Sequence, residues 1–118
     1  MLTIAYLGNG KSTNRYHLPF SRKLKDKIKI KTIFSRSEPT WETFEDIHYT
    51  NQLEDLWNDP EIQLAVITTP SQFHYEYAKL ALEHGKNVLV EKPFAETSAE
   101  AKELFELAKQ KDLFIQCY

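Results

Sequence analysis

"LTIAYLGNGKST", residues 2–13, sets the fold of this chain by its order: an apolar run, two glycines one residue apart, then polar residues that open a helical stretch. Leu2 to Leu7 is apolar on both faces, as a strand is when a parallel sheet buries it on both sides. A strand that ends in Gly-x-Gly and feeds a helix has a defined physical use. Gly8 permits a tight turn, and Gly10 has no side chain to hold a pyrophosphate off the backbone. The helix start offers unpaired N–H groups and the positive end of its dipole. A third glycine usually follows for close packing of helix on strand, and Thr13 stands in its place. Threonine is bulkier, so the helix is expected to sit slightly further from the strand, but pyrophosphate binding does not require glycine there. Gly8, Asn9, Gly10, Lys11, Ser12 and Thr13 are therefore the first candidates for cofactor binding. The chain has only three glycines, and placing two of them in this turn implies a backbone requirement.

The rest of the composition bounds what such a turn can serve. A length of 118 residues suits one domain with a single core. Hydrophobic residues at 42% and charged residues at 27% belong to a folded rather than a disordered chain. A net charge of -2 is unlike the basic surface of a nucleic-acid binder, so no nucleic-acid partner is expected. Cys117 is the single cysteine and can form no internal disulfide. His17, His48, His74 and His84 show no metal-ligand spacing with one another or with Cys117, so no metal is expected. No apolar stretch approaches the ~20 residues needed to span a bilayer, and the N-terminus shows no signal-peptide pattern. The expectation is a cytoplasmic protein without a membrane partner.

Along the chain, the pattern predicts a helix over about residues 13–24, short or kinked at Pro19. Ile28–Phe34 reads as a second strand, the polar stretch after it as a loop, and Ile47–Thr50 as a short edge strand. Asn51 is expected to cap a short helix with Leu53, Leu56 and Trp57 on its apolar face. Ile62–Pro70 is the clearest buried strand. Ser71 is expected to cap the next helix, with Phe73, Tyr77, Leu80 and Ala81 inward and Gly85 ending it. Asn87–Pro93 is the next strand, and Thr97 with Glu100 forms a capping-box pattern before a stripe of Ala101, Leu104, Phe105 and Ala108. Residues 113–118 close the chain as a last strand. Strands alternating with helices imply right-handed crossovers, hence one α/β domain over residues 1–118: a doubly wound parallel sheet with strand order 3-2-1-4-5-6.

"TTPSQFHYEYAKLALEHGKNVLVEKP", residues 68–93, resembles the Gfo/Idh/MocA oxidoreductases (glucose–fructose oxidoreductase, inositol dehydrogenase and relatives). In that family a Thr-Pro-x-x-x-His segment ends the fourth strand and Glu-Lys-Pro ends the fifth. Here these are Thr69 to His74 and Glu91-Lys92-Pro93, and "GNGKSTNRYHLPF" resembles the first turn and helix of one branch. The likeness runs over essentially the whole chain. It implies a Rossmann NAD(P)-binding domain of an oxidoreductase acting on a sugar, polyol or related hydroxyl or carbonyl compound. Thr69, Pro70, Ser71, His74 and Glu91 are then expected along the cofactor. Lys92 is expected near the nicotinamide and the substrate hydroxyl, as the catalytic candidate. Ser71 departs from the asparagine common after Thr-Pro, so contacts there are expected to differ.

The family carries a second domain that supplies the substrate pocket and the acid/base residue, and nothing in these residues corresponds to it. The chain alone is accordingly expected to bind cofactor without turnover, to meet a small-molecule substrate only with that second domain, and to be capable of oligomerising. Lys92 has a chemical role open to it on physical grounds as well. A cation at the carboxyl end of a parallel strand faces the ligand crevice and can stabilise developing negative charge. His74 could reach a ligand or pack beside the strand. His17 reads as a packing or surface residue, His48 and His84 as structural or solvated, Tyr16, Trp41 and Trp57 as core or loop-packing residues, and Pro93 as a rigid turn or a cis peptide.

The cofactor choice rests on the end of the second strand. An Asp or Glu there accepts hydrogen bonds from the adenosine ribose of NAD, but "TIFSRSE" puts Ser35 and Arg36 in that place. A hydroxyl and a guanidinium suit a 2′-phosphate, which favours NADP over NAD. The alternative for Arg36 is a stack on the adenine of either cofactor, or solvation. Two other functions remain open at this level: a non-catalytic NAD(P)-sensing regulatory domain, and a doubly wound domain that binds no dinucleotide.

Overall fold

The computed structural model describes residues 1–93 and 95–117. Six strands form one parallel sheet: β1 (Leu2–Leu7), β2 (Ile28–Phe34), β3 (His48–Thr50), β4 (Leu64–Ile67), β5 (Asn87–Val90) and β6 (Ile115–Cys117), in the order β3-β2-β1-β4-β5-β6. This is the expected doubly wound order. The predicted last strand ended at Tyr118, which lies outside the described residues.

Alternation along the strands feeds two apolar layers. Ala5, Leu7, Ala65, Ile67, Val88 and Val90 point to one face, against α2 (Glu54–Trp57), α3 (His74–Glu83) and α4 (Ser98–Gln110). Ile4, Tyr6, Ile33 and Val66 point to the other, against Leu18 of α1 (Leu18–Arg22) and Ile47. Central strands buried on both faces leave no room for polar alternation, which is why their sequence reads as apolar runs.

Local chemistry explains where the elements depart from expectation. The helix after the first turn is wound in two pieces, a π-helix over Ser12–His17 and then α1, with the Leu18 N–H bonded to the Thr13 carbonyl. Pro19 stands at the junction of the two pieces, in the first turn of α1, where the π winding gives way to α. Asn51 caps nothing: the Thr50 hydroxyl accepts from the Gln52 N–H at 3.0 Å and bonds Asp55, so the residue before it organises α2. Ser71 likewise lies inside a short 3-10 turn, Ser71–Phe73, that leads into α3. Gly85 ends α3 with φ +79°, the left-handed conformation that glycine adopts without strain.

Thr97 caps α4, its Oγ1 accepting from the Glu100 N–H at 3.1 Å, and Glu100 Oε1 reaches back to accept from the N–H of Glu96, one residue before the cap, at 3.1 Å. On the α4 stripe Leu104 and Ala108 are buried, whereas Phe105 is 53% exposed and Leu107 takes the inward place. Tyr16 is also exposed rather than packed.

No helix covers the chain between β2 and β3. That stretch is held to the first helix by side chains instead. Arg22 lies 4.2 Å from the Phe44 ring and 3.3 Å from Asp46, and Arg15 lies 5.8 Å from the Trp41 ring. No helix of the described residues is long and apolar enough to cross a membrane.

Candidate cofactor site

The carboxyl ends of β1, β2 and β4 enclose an open groove of ≈ 570 Å³. Gly8 to Ser12 form its floor, Ser35, Arg36 and Ser37 one wall, and Thr68, Thr69, Pro70 and Phe73 the other. The groove is thus assembled from three segments far apart in sequence, each delivered by the end of a parallel strand.

The floor is fixed by close backbone approach. Gly8 has φ +125°, and a Cβ on it would lie 2.5 Å from Thr68 Oγ1 and 2.9 Å from the Thr68 carbonyl carbon. No larger residue fits between β1 and β4 at this height. Thr13 takes the third-glycine place by turning inward. Fully buried, its hydroxyl donates to the Gly8 carbonyl at 2.9 Å and lies 2.6 Å from Thr68 Oγ1. Threonine therefore packs the turn through hydrogen bonds where glycine would do so through absence.

Gly10 differs. Nothing lies within 4 Å of the Cβ it lacks, so neither sterics nor backbone conformation within the chain requires glycine here. Beside it, Asn9 accepts from Asn14 Nδ2 at 2.8 Å through its Oδ1, while its own Nδ2 is buried without a partner. Across the groove the Thr69 hydroxyl is likewise buried and unpartnered. Orphaned buried polar groups are costly in a closed structure. Two of them lining one groove, beside a glycine with open space before it, fit a polar ligand that passes close to the backbone. These residues fit the pyrophosphate of a dinucleotide.

The walls bring further candidates together. The Arg36 guanidinium carbon lies 4.5 Å from the centre of the Phe73 ring, a cation–π contact. Arg36 makes no ion pair among the described residues, so its N–H donors remain for the groove. The Ser35 hydroxyl donates to the Ser37 carbonyl at 2.7 Å. Thr40, Trp41 and Phe73 also line the groove. Sequence reading treated Trp41 as loop packing; its place beside Gly10 to Ser12 follows from the side-chain contact with Arg15, which has no linear signal.

The remaining candidates stand outside this groove. Ser12 bonds the Glu91 carboxylate, and Glu91 also lies 3.6 Å from His17, so Glu91 joins the end of β5 to the first helix. Lys92 is exposed and makes no ion pair among the described residues. The Lys92–Pro93 peptide bond is cis. His74 is 2% exposed, with Nδ1 2.6 Å from the Pro93 carbonyl and Nε2 2.8 Å from the Thr69 carbonyl. It therefore stands behind the wall rather than in the groove.

A family model described as "Oxidoreductase family, NAD-binding Rossmann fold" matches residues 2–118. The chain belongs to the Gfo/Idh/MocA oxidoreductase family. An uncharacterised oxidoreductase of the family from Escherichia coli, YhhX, is 48% identical over all of this chain and 35% of its own length. A crystal structure of YhhX superposes with a TM-score of 0.97, at 48% identity over all of this chain and 35% of that one. The scyllo-inositol 2-dehydrogenase (NADP(+)) IolW of Bacillus subtilis is 33% identical over 99% of this chain and 33% of its own length. The chain thus spans about a third of the length of these relatives.

Proposed function

We propose that this chain is the NADP-binding part of an oxidoreductase that interconverts a hydroxyl and a carbonyl on a sugar, polyol or related small molecule. The observation that carries the reading is the groove itself, with an undemanded glycine and two unpartnered buried polar groups along the path of a pyrophosphate. The name of the Bacillus subtilis relative supports both NADP and a polyol substrate.

In this reading Gly10, Lys11 and Ser12 hold the pyrophosphate. Asn9 Nδ2 and Thr69 Oγ1 supply polar partners beside it. Arg36, held beside Phe73, meets the 2′-phosphate with its N–H donors, and Ser35 stands next to it. When bound, the nicotinamide supplies a hydride acceptor or donor. Lys92, at the carboxyl end of β5, orients the substrate oxygen and stabilises the negative charge that develops on it. Glu91 keeps that strand end fixed to the start of the first helix. A substrate pocket requires protein beyond these residues, because reactive alignment depends on enclosure from more than one side.

Isothermal titration of the chain with NADP and NAD at low salt tests the cofactor assignment. A charge-assisted contact predicts that NADP binds roughly tenfold to a hundredfold more tightly. Arg36→Ala should remove most of that preference while leaving NAD affinity nearly unchanged. Equal affinities for the two cofactors in the unmodified chain would refute the assignment.

A further inference from the structure

The chain has two tryptophans, and they are housed differently. Trp57 belongs to the apolar core and stacks on the His84 ring at 5.4 Å. Trp41 is half-buried, belongs to neither apolar cluster, and makes no hydrogen bond among the described residues. It lines the groove with Gly10, Lys11, Ser12 and Arg36. The contact that places it is Arg15, three residues beyond Ser12, whose guanidinium carbon lies 5.8 Å from the ring centre. That is close to the ~6 Å limit of a cation–π contact. The connection carrying Trp41 is pinned on either side of it, by Arg36 against Phe73 and by Arg22 against Phe44 and Asp46.

An indole is a broad apolar plane with one N–H that donates and cannot accept. Neither part is used by the core, yet the residue lines a groove whose floor fits a pyrophosphate. We propose that Trp41 is a cofactor-contacting residue that lies across the adenosine half of the dinucleotide, its plane against the ribose and its N–H donating to the adjoining phosphate. An ionised phosphate oxygen only accepts, so it matches a side chain that only donates. The long Arg15 contact holds the ring at the groove without a competing hydrogen bond to break. This contact rests on the dinucleotide reading above and adds to it a hold from the connection between β2 and β3.

Tryptophan emission and calorimetry on the same chain test this, with 2′,5′-ADP (the adenosine half alone) and NADP as ligands. In the unmodified chain, emission should change on titration, along the binding curve that calorimetry gives. Trp41→Phe should abolish that change while binding heat remains. An emission change that survives in Trp41→Phe would come from Trp57 and would overturn the contact. Binding heat with unchanged emission in the unmodified chain would do the same.

Trp41→Ala should weaken both ligands by about tenfold, the scale of a hydrogen bond to a charged group. The urea midpoint should stay in place, because the ring lies outside both clusters. A midpoint that falls along with the affinity would mark a packing residue and sink the proposal, and unchanged affinity would sink it too. If the unmodified chain binds neither ligand, the dinucleotide reading fails and this contact fails with it. Binding without a Trp41 signal fails the contact alone.

Discussion

The two ends of the sheet are built from similar polar residues and treat them in opposite ways. At the amino end polar side chains tie β1, β2, β4, β5 and β6 and the segments leading into them. Lys31 Nζ lies 2.6 Å from Asp59 and 2.7 Å from Glu61, and buried Lys86 donates to the Asp59 carbonyl at 2.6 Å. Gln63, Asn87 and the Phe114 N–H continue the chain of bonds across β4, β5 and β6. At the carboxyl end, Asn9 and Thr69 each keep a buried polar atom without a partner, and Gly10 faces open space. A protein that can satisfy its polar groups at one end and does not at the other has left the second end for something else. The same contrast appears within a single turn. Gly8 is required by the fold, whereas nothing in the fold requires Gly10, which the proposed function assigns to a ligand.

Gly8→Ala should have the largest effect. Left-handed strain and a Cβ inside contact distance of Thr68 add, so the chain should lose roughly 3 kcal/mol or more of stability in urea denaturation. That is a large share of the ~5–15 kcal/mol typical of a domain. A mild loss would mean that β1 and β4 can separate at the turn, and the contrast with Gly10 would collapse.

Gly10→Ala should divide the two properties. Stability should change by less than about 1 kcal/mol, in the stabilising direction, because alanine restricts the unfolded chain. NADP affinity should fall by about tenfold to a hundredfold, the binding counterpart of overpacking by one methyl. A titration showing unchanged affinity would remove the ligand explanation for this glycine.

The smallest effect belongs to the amino end. Burial pushes the Asp59 carboxyl up, but the Lys31 ammonium, the Glu61 N–H and the Lys86 charge outweigh it and hold the carboxyl below its ordinary range. A lowered folded value means the carboxylate stabilises the fold above the ordinary aspartate value of about 3.9. The gain fades as pH falls through the lowered folded value. Asp59→Asn should therefore cost up to about 1 kcal/mol near neutral pH, given the exposure of the pair. The deficit should disappear in acid melts. A deficit that persists in acid would point to packing instead of charge.

The sheet was legible because burial on both faces writes a strand as an apolar run, and because the Thr97–Glu100 box is a local pattern with a local cause. The caps of α2 and α3 were not. Thr50 competes with Asn51 through a bond to Asp55, and the 3-10 turn at Ser71 depends on the path out of β4. At the site, the glycine turn and Arg36 could be read from their position after strands. Trp41 and Phe73 could not, because each joins the groove through a contact with an arginine distant in sequence. His74 was visible as a histidine near the site, but its partners are backbone carbonyls, and a carbonyl leaves no trace in residue identity.

The bonds among Gly8, Thr13 and Thr68 have a thermodynamic consequence. They lock the groove floor before any ligand arrives, so little conformational entropy is lost there when one binds. The opposite wall, where Arg36 and Trp41 sit on a connection without a helix, is held by side-chain contacts of Arg15, Arg22 and Arg36 instead of by a buried turn. Under the proposed function, ordering on binding then falls on the adenosine side, along the chain between β2 and β3, while the phosphate turn works as a rigid template.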